Sequence, residues 1–214
     1  MKNKIFTLAI ILGGIAANAQ ENNTDFRNRL IVGAKAGINY SNVYDSKGQT
    51  FHANPKLGFA GGAFLAIPFG KLFGLQPEIL YSQKGFQSSG AILGSNYNMT
   101  RTSNYIDAPL FFAFKPSEFL TVLAGPQFSY LVSQKNTFVN GSTSQEQEIA
   151  FDNDDIRNNT LCFAGGIDLT LKHIVFGARV GWDVQQNNDN GSSTILRYKN
   201  TWYQATIGYR FYKH

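Results

Sequence analysis

Few residues in this sequence have the side chains of a nucleophile, a general base or a metal ligand, and they are widely separated. Its histidines are His52, His173 and His214, in a polar segment, a short turn and the chain end. A catalytic histidine needs a nucleophile within hydrogen-bond reach, and nothing in the spacing supplies one. The single cysteine, Cys162, lies on the polar side of an alternating segment with no base beside it, which indicates a small interior filler rather than a nucleophile. The sequence therefore predicts no enzyme activity.

The acidic run DNDD, Asp152 to Asp155, has oxygens that could gather around a calcium ion. An EF-hand loop also needs a glycine at its sharp turn and a distal glutamate, and this run lacks both. We therefore expect a solvated acidic loop and predict no metal or other cofactor.

Charged residues recur on one side of short segments in which apolar and polar residues alternate. Four of them are positive and four are negative, so the set is balanced. Opposite charges that share an enclosed space stabilise one another only when they are paired. In the interior of a narrow barrel they would form a paired polar plug and leave no wide pore. The predicted interior charges are Lys35, Glu78, Lys84, Asp107, Asp168, Arg179, Asp183 and Arg210.

The segments that must position these charges alternate with a period of two, the period of a β-strand. In IVFGARVGWDV, Phe176, Val180 and Trp182 fall on the apolar side, whereas Arg179 and Asp183 fall on the polar side. Eight such segments occur, at residues 31–40, 57–67, 75–84, 105–114, 120–132, 161–172, 173–185 and 202–211. The third and fourth each contain a proline, which weakens their assignment as central strands.

The connections between these segments alternate in length. PFGKLFG, KPSEF and KH are short, and the long polar connections are residues 44–56, 86–103, 134–159 and 186–197. Transmembrane barrels have short periplasmic turns and long outer loops. We therefore predict an all-β fold, an eight-stranded antiparallel up-and-down transmembrane β-barrel with both termini in the periplasm. A count of ten strands stays open.

The apolar side of the strands faces lipid in a membrane barrel and a packed core in a soluble one. A lipocalin-like barrel surrounds its ligand with apolar interior residues, whereas the side opposite the apolar one is charged here. Aromatic residues also lie near the strand ends on the apolar side, where such rings suit a membrane interface. The predicted interface aromatics are Tyr40, Tyr81, Tyr130, Trp182, Tyr203 and Tyr209.

The beginning of the chain has the features of a secretory signal peptide. Two lysines precede an apolar run at residues 5–17, and the small-residue pattern ANA ends at Ala19. The run is shorter than the ~20 apolar residues of a membrane-spanning helix, so we predict cleavage after Ala19. The predicted organisation is a signal peptide at 1–19, a short periplasmic segment at 20–29 and an outer-membrane barrel at 30–214.

The charge argues against a nucleic-acid-binding protein, and the cysteine count argues against a disulfide-stabilised one. The formal net charge is +5, and two of the lysines that contribute to it lie in the predicted signal. Such a mild surplus argues against a nucleic-acid partner. With one cysteine, an exported chain of this length has been built without disulfides.

The segment YIDAPLFFAFKP, the alternation of glycine with aromatic residues and TIGYRF near the end resemble the PorT-like outer-membrane β-barrel proteins of Bacteroidetes. The resemblance covers essentially the whole chain after the signal, and its most specific part is Tyr105 to Pro109, with Asp107 inside it. It implies an outer-membrane barrel, and it links a few members to secretion or gliding machinery. The last strand resembles the aromatic signal read by the outer-membrane assembly machinery, carried by Tyr209 and Phe211, although three residues follow Phe211.

We interpret the protein as a monomeric barrel with a structural or interaction role through long extracellular loops. Its expected partners are outer-membrane lipid and the assembly machinery, and a protein partner outside the cell or in a secretion system is left open. Two alternatives belong to other classes: an outer-membrane barrel enzyme acting on lipid, and a secreted lipocalin-like binder of a small ligand.

Overall fold

Almost all of the described chain is β-strand. The computed structural model describes residues 25–44, 53–92, 95–140, 143–149, 158–186 and 198–212. A short 3-10 helix, Phe26–Asn28, precedes the first strand. The strands are β1 (Ile31–Tyr44), β2 (Asn54–Pro68), β3 (Phe73–Ile92), β4 (Ser95–Phe114), β5 (Leu120–Asn140), β6 (Thr143–Ile149), β7 (Asn159–Leu171), β8 (Ile174–Asp183) and β9 (Lys199–Phe211). The predicted signal peptide and the DNDD run lie outside the described residues.

Eight of these strands close into an antiparallel barrel. Each pairs with its neighbour in the order β1, β2, β3, β4, β5, β7, β8, β9, and β9 returns to β1. The closing pair places Ala36 opposite Ile207, and the β4–β5 pair places Asp107 opposite Ser129. The predicted eight-stranded barrel is therefore confirmed. The additional strand, β6, was not predicted, and it pairs with the far part of β5.

The two faces of the barrel wall differ in chemistry. Large apolar side chains cover the outside, because the period-two alternation directs every second residue outward. Examples from around the barrel are Ile38, Phe59, Ile79, Phe112, Phe128, Leu169, Phe176 and Ile207, all exposed. The alternate positions point inward and are mainly polar. No packed partner covers the apolar outside among the described residues, which is the arrangement of a barrel surrounded by lipid.

The short turns lie at one end of the barrel, which we call the short-turn end. They are residues 69–72, 115–119 and 172–173. Gly70 and Lys172 adopt positive φ angles there, of 84° and 54°, so the chain reverses within a few residues. The segment 25–29 and the end of β9 lie at the same end, as the even strand count of the barrel requires.

Two of the predicted long loops are wrong. Residues 86–103 are mostly strand, because β3 and β4 continue as a hairpin to Ile92 and Ser95. Within 134–159, β5 continues to Asn140 and β6 returns beside it. Neither of these polar sequences has an apolar residue at every second position, so both lack the pattern that marks the strands of the barrel wall. We call this opposite end the long-strand end.

The prolines in β3 and β4 lie in central strands of the barrel. Pairing is interrupted between Pro77 and Leu80 on β3 and between Asp107 and Leu110 on β4. Since proline has no N–H to donate, it fits where the ladder is interrupted. The prolines therefore do not argue against central strands here, because β3 and β4 each pair with a neighbour on both sides.

Two aromatic rings inside the barrel lie across glycines of neighbouring strands. A Cβ added to Gly33 would lie 2.2 Å from the Phe64 ring, and one added to Gly181 would lie 2.3 Å from the Trp202 ring. Glycine at these inward positions therefore makes room for a large ring in a narrow interior.

Candidate functional site

The interior contains a group of ion pairs near the short-turn end. Arg179 Nη2 donates to Asp168 Oδ1 at 2.7 Å and lies 3.8 Å from Glu78 Oε1. Lys35 forms an ion pair with Glu78. Gln76 Nε2 donates to both Glu78 Oε1 and Asp168 Oδ2, at 2.9 and 3.2 Å. Strands from opposite sides of the barrel thus supply two cations and two carboxylates, all buried.

A second ion pair lies closer to the long-strand end. Lys84 Nζ is 3.0 Å from Asp107 Oδ2, and both side chains are only 1% exposed. Lys84 Nζ also lies 3.8 Å from the centre of the Trp202 ring and 4.9 Å from that of Tyr105. Ser129 Oγ donates to Asp107 Oδ1 at 2.6 Å. Aromatic faces and a hydroxyl thus complete the surroundings of this buried charge pair.

Cys162 and Asp183 contact each other inside the barrel. Cys162 Sγ donates to Asp183 Oδ1 at 3.1 Å and lies 3.4 Å from Ser129 Oγ. The backbone N–H and the side-chain amide of Asn200 both donate to Asp183 Oδ2. Asp183 is therefore held by neutral donors, and it forms no ion pair with any cation in the described ranges. Cys162 is 1% exposed, in a site without a histidine.

Arg210 differs most from its predicted role as a paired lumen charge. Its guanidinium forms no ion pair or hydrogen bond within the part of the chain that the structure describes. Asp168, a carboxylate at the same end, already binds Arg179. The eight predicted interior charges are therefore not all paired with one another. Among the described residues, Arg210 at the short-turn end and Asp183 toward the long-strand end have no ion-pair partner.

The segment 25–29 lies across the short-turn mouth of the barrel. Lys115 Nζ donates to the backbone oxygen of Arg27 at 2.5 Å. The Phe26 ring packs against Tyr212 at 4.3 Å between centroids. Asp25 caps the 3-10 helix and accepts a bidentate hydrogen bond from the Arg27 side chain. The segment 25–29 therefore contacts the β4–β5 turn through Lys115 and the residue after β9 through Tyr212.

Ionisation at this mouth reflects burial and the nearby charged groups. The hydrogen bond from Arg27 holds the pKa of Asp25 well below its usual range. Burial, with Arg210 and Arg27 nearby, lowers the pKa of Lys115 to about 8. The folded state therefore holds the Lys115 proton less tightly than the unfolded chain does.

We expect Lys115 to titrate near pH 8 in the folded protein. Because the unfolded chain binds more protons between this value and the ordinary 10.5, the stability contributed by Lys115 rises with pH across that window. NMR of ¹³C-methylated lysines would measure the titration, with Lys115→Gln identifying the signal. Arg210→Gln removes a repelling cation and should raise the Lys115 pKa. Titration at or above pH 10.5 would contradict this account.

The six proposed interface aromatics point away from the interior. Tyr40 pairs with Tyr203 across β1 and β9. Tyr81 and Tyr130 flank Ile106 on the β3–β4–β5 surface, and Trp182 packs against Phe163 at 5.4 Å. All are at least 39% exposed, as are Tyr209 and Phe211 of the proposed assembly signal. The last two lie at the short-turn end, where His173 stacks on Tyr209 and Tyr212.

Two interior residues were missed although the alternation contains a signal for them. Trp202 lies two positions before inward-facing Gln204, and Lys115 lies two positions after inward-facing Ala113. Trp202 belongs to the predicted segment 202–211, on the same side as Gln204, and the period-two pattern extended one residue beyond the segment 105–114 places Lys115 inside. Their roles in the ion pair of Lys84 and in the contact with Arg27 depend on distant strands.

In the described ranges, no group of three or more His, Cys, Asp or Glu side chains is placed to hold a metal ion. His52 and His214 lie outside those ranges, and His173 Nδ1 lies 2.9 Å from the Arg210 backbone oxygen in a short turn. Within the same ranges, no helix has the length and apolar character needed to cross a membrane.

Solved structures with similar chain paths come from bacterial outer-membrane proteins. Ail, the attachment invasion locus protein of Yersinia pestis, is 13% identical with a TM-score of 0.48, and the match covers 85% of this chain and 98% of Ail. Neisserial surface protein A is 12% identical with a TM-score of 0.49, covering 84% of this chain and 97% of that one. OprG from Pseudomonas aeruginosa is 14% identical with a TM-score of 0.38, covering 86% and 95%.

A sequence family gives a more direct assignment than these structures do. No curated protein sequence matches the chain. The profile of the family described as "Outer membrane protein beta-barrel domain" matches residues 18–187. This range includes most of the barrel, from before β1 to the end of β8. The chain therefore belongs to the outer-membrane protein β-barrel domain family.

Proposed function

We propose that this outer-membrane barrel protein acts as an interaction protein whose working surface is the long-strand end, outside the cell. The observation that carries the proposal is the length of three adjacent strands. β3, β4 and β5 contain 20, 20 and 21 residues. A membrane-spanning strand needs only about 9–11 residues. The three strands therefore have enough length to continue well beyond a bilayer.

The projecting part of these strands is a small sheet that ends at β6, whose outer edge is paired with no other described strand. β5 makes its last pairing with β7 at Tyr130 and then continues to Asn140 beside β4 and β6. Among the described strands, β6 pairs with β5 alone, so its other edge presents backbone N–H and C=O groups. An extended segment of a partner protein can add to such an edge by backbone hydrogen bonds.

The filled interior supports a role in interaction rather than transport. Two groups of ion pairs and the Trp202 ring occupy the space that eight strands enclose. Residues 25–29 lie across its short-turn mouth. The proposed barrel is monomeric, is not an enzyme, and binds neither cofactor nor nucleic acid. A lipid-acting enzyme or a secreted lipocalin-like binder has no comparable support.

Within the wider family, we propose membership of the PorT-like group of Bacteroidetes. Support comes from the resemblance at Tyr105 to Pro109, where Tyr105 and Asp107 both lie against Lys84 inside the barrel. The proposal includes removal of the signal after Ala19, recognition of Tyr209 and Phe211 by the assembly machinery, and a protein partner outside the cell or in a secretion system.

Cysteine labelling on intact cells tests the orientation of the proposed surface. We expect Gln145→Cys in β6 to react with a membrane-impermeant maleimide on intact cells. Glu118→Cys, at an exposed position of a short turn, is the matched control and should react only after the outer membrane is permeabilised. The native Cys162 is buried, so its background labelling should be low. Labelling of Glu118→Cys alone on intact cells would indicate the opposite orientation and contradict the proposal.

Crosslinking at the same positions tests the interaction itself. A photoreactive residue at position 145 should form an adduct with a protein on living cells, whereas the same residue at the exposed position 118 should not form that adduct. Absence of adducts from position 145 and from neighbouring β6 positions would argue against an edge that recruits a protein.

A further inference from the structure

The segment 25–29 contacts opposite sides of the rim at the short-turn end. The Phe26 ring packs against Tyr212, which follows β9, at 4.3 Å between centroids. The Arg27 backbone oxygen accepts a hydrogen bond from Lys115 in the β4–β5 turn. In the order of the paired strands, β9 and β4 are separated by half of the barrel wall. These two contacts therefore extend the segment across the mouth rather than along one edge of it.

A small cavity lies between this segment and the interior of the barrel. Its lining combines residues of the segment 25–29 with inward-facing residues of the strands, among them Gln76 and Thr121. The cavity has room for about one water molecule. Gln76 connects it to the ion pairs inside, because its amide donates to both Glu78 and Asp168. The segment therefore covers the approach from the mouth to the buried ion pairs.

The segment 25–29 is held less firmly than the strands beside it. It contains a 3-10 helix of three residues and takes no part in the sheet. A further contact with the rim joins Asp25 to Lys71 at 3.5 Å, but the Lys71 side chain is 58% exposed, and exposed ion pairs contribute little. The contact of Asp25 with Arg27 lies within the segment and is kept when the segment moves as a unit. Segments with few contacts to the rest of a protein open most readily.

We propose that the segment 25–29 is a strap that closes the short-turn mouth and that lifts to connect the cavity with the water at that end of the barrel. Lifting exposes Gln76 and brings water to the ion pairs behind it. The chain between Arg29 and Ile31 absorbs the motion, because Ile31 already pairs with Ala66 of β2. The strap is thus a conformational device of the barrel interior, and the inference does not depend on the proposed extracellular interaction.

Labelling of a thiol in the cavity measures how often the strap lifts. The experiment uses the full chain in lipid nanodiscs with Thr121→Cys, which places a thiol in the cavity lining, and a small water-soluble methanethiosulfonate. We expect Phe26→Ala to accelerate labelling about tenfold, because loss of the ring contact favours the lifted strap. Asn28→Ala changes an exposed side chain of the same segment and is the matched control, with no change expected. Cys162 is 1% exposed, and protein without Thr121→Cys gives its background.

The Lys115 ammonium reports independently on the same motion. Burial, with the cations Arg210 and Arg27 nearby, lowers its pKa to about 8, and Asp25 acts in the opposite direction. Lifting the strap exposes the ammonium to water and moves Arg27 away from it. In the Phe26→Ala protein the Lys115 pKa should therefore rise toward its ordinary 10.5. NMR of ¹³C-methylated lysines would measure this rise, and the control variant should show none.

Tyr212→Ala breaks the same ring contact from the other side, and it keeps the test valid if Phe26→Ala fails to fold. It should give the same two changes. Unchanged labelling in a folded variant would overturn the proposal. Equal acceleration by Asn28→Ala would also overturn it, because it would show a general loosening of the mouth. Faster labelling with an unchanged Lys115 pKa would do the same, because the thiol would then have been reached by another route.

Discussion

Replacing Arg179 with methionine is expected to lower the free energy of unfolding by about 3–5 kcal/mol, because it breaks a buried ion pair and leaves a carboxylate without its partner. Arg179 binds Asp168 at 2.7 Å and also donates to the Ile167 backbone oxygen at 2.7 Å. Without it, Lys35 remains as the cation beside two buried carboxylates. Urea unfolding in lipid vesicles, followed by tryptophan fluorescence, would measure the loss.

Two controls separate the ion pair from a general effect of substitution. Glu118→Gln removes an exposed charge and should change stability by about 0–1 kcal/mol. Adding Asp168→Asn to the Arg179 variant restores one cation to one carboxylate and should recover part of the loss. An Arg179 variant as stable as Glu118→Gln would contradict the proposed plug. Steady, large channels from the wild-type protein in a planar bilayer would contradict it as well, since we expect only rare, small events.

Replacing Val180 with arginine is expected to destabilise the barrel by about 2–4 kcal/mol, because the charge would lie on the lipid face near the bilayer midplane. Val180 is 37% exposed on the outside of β8, between Gly165 and Tyr203 of the neighbouring strands. The same unfolding measurement in vesicles would give the effect. Val180→Leu keeps the position apolar and serves as the matched control.

Gly181, the next residue along β8, faces the interior and provides a second test of which face each residue lies on. At Gly181, even Gly181→Ala would bring a Cβ within 2.3 Å of the Trp202 ring, so the cost there comes from crowding. We therefore expect Gly181→Ala to be destabilising in micelles and in vesicles alike, whereas Val180→Arg should depend on the bilayer. A Val180→Arg protein as stable as Val180→Leu would show that this face does not contact lipid.

The barrel itself could be predicted from the sequence because its strands repeat one simple pattern. In a wall that separates lipid from a polar interior, every second residue must be apolar, and this requirement acts on each strand independently. Alternation in β8 therefore places Val180 outside and Arg179 inside without knowledge of any neighbour. The same local rule identifies eight segments and the short turns between them.

The extensions of β3, β4 and β5 could not be predicted in this way. Beyond the bilayer both faces of a strand meet water, so polar residues such as those of SQEQE in β6 carry no alternation. These strands are defined by pairing with each other, as in the match of Phe138 with Gln145. Backbone hydrogen bonds between strands do not depend on side-chain type, so the sequence contains little trace of them.

The sequence by itself determined which residues point inward and which point to lipid, because side-chain direction along a strand is a local property. Only the tertiary structure decided which inward charges meet, because the partners come from distant strands. It pairs Arg179 with Asp168 and Lys84 with Asp107, and it gives Asp183 neutral donors. Within the ranges that the structure describes, it gives Arg210 no ion-pair partner. The reason is that barrel closure and strand stagger set the height of each side chain along the interior.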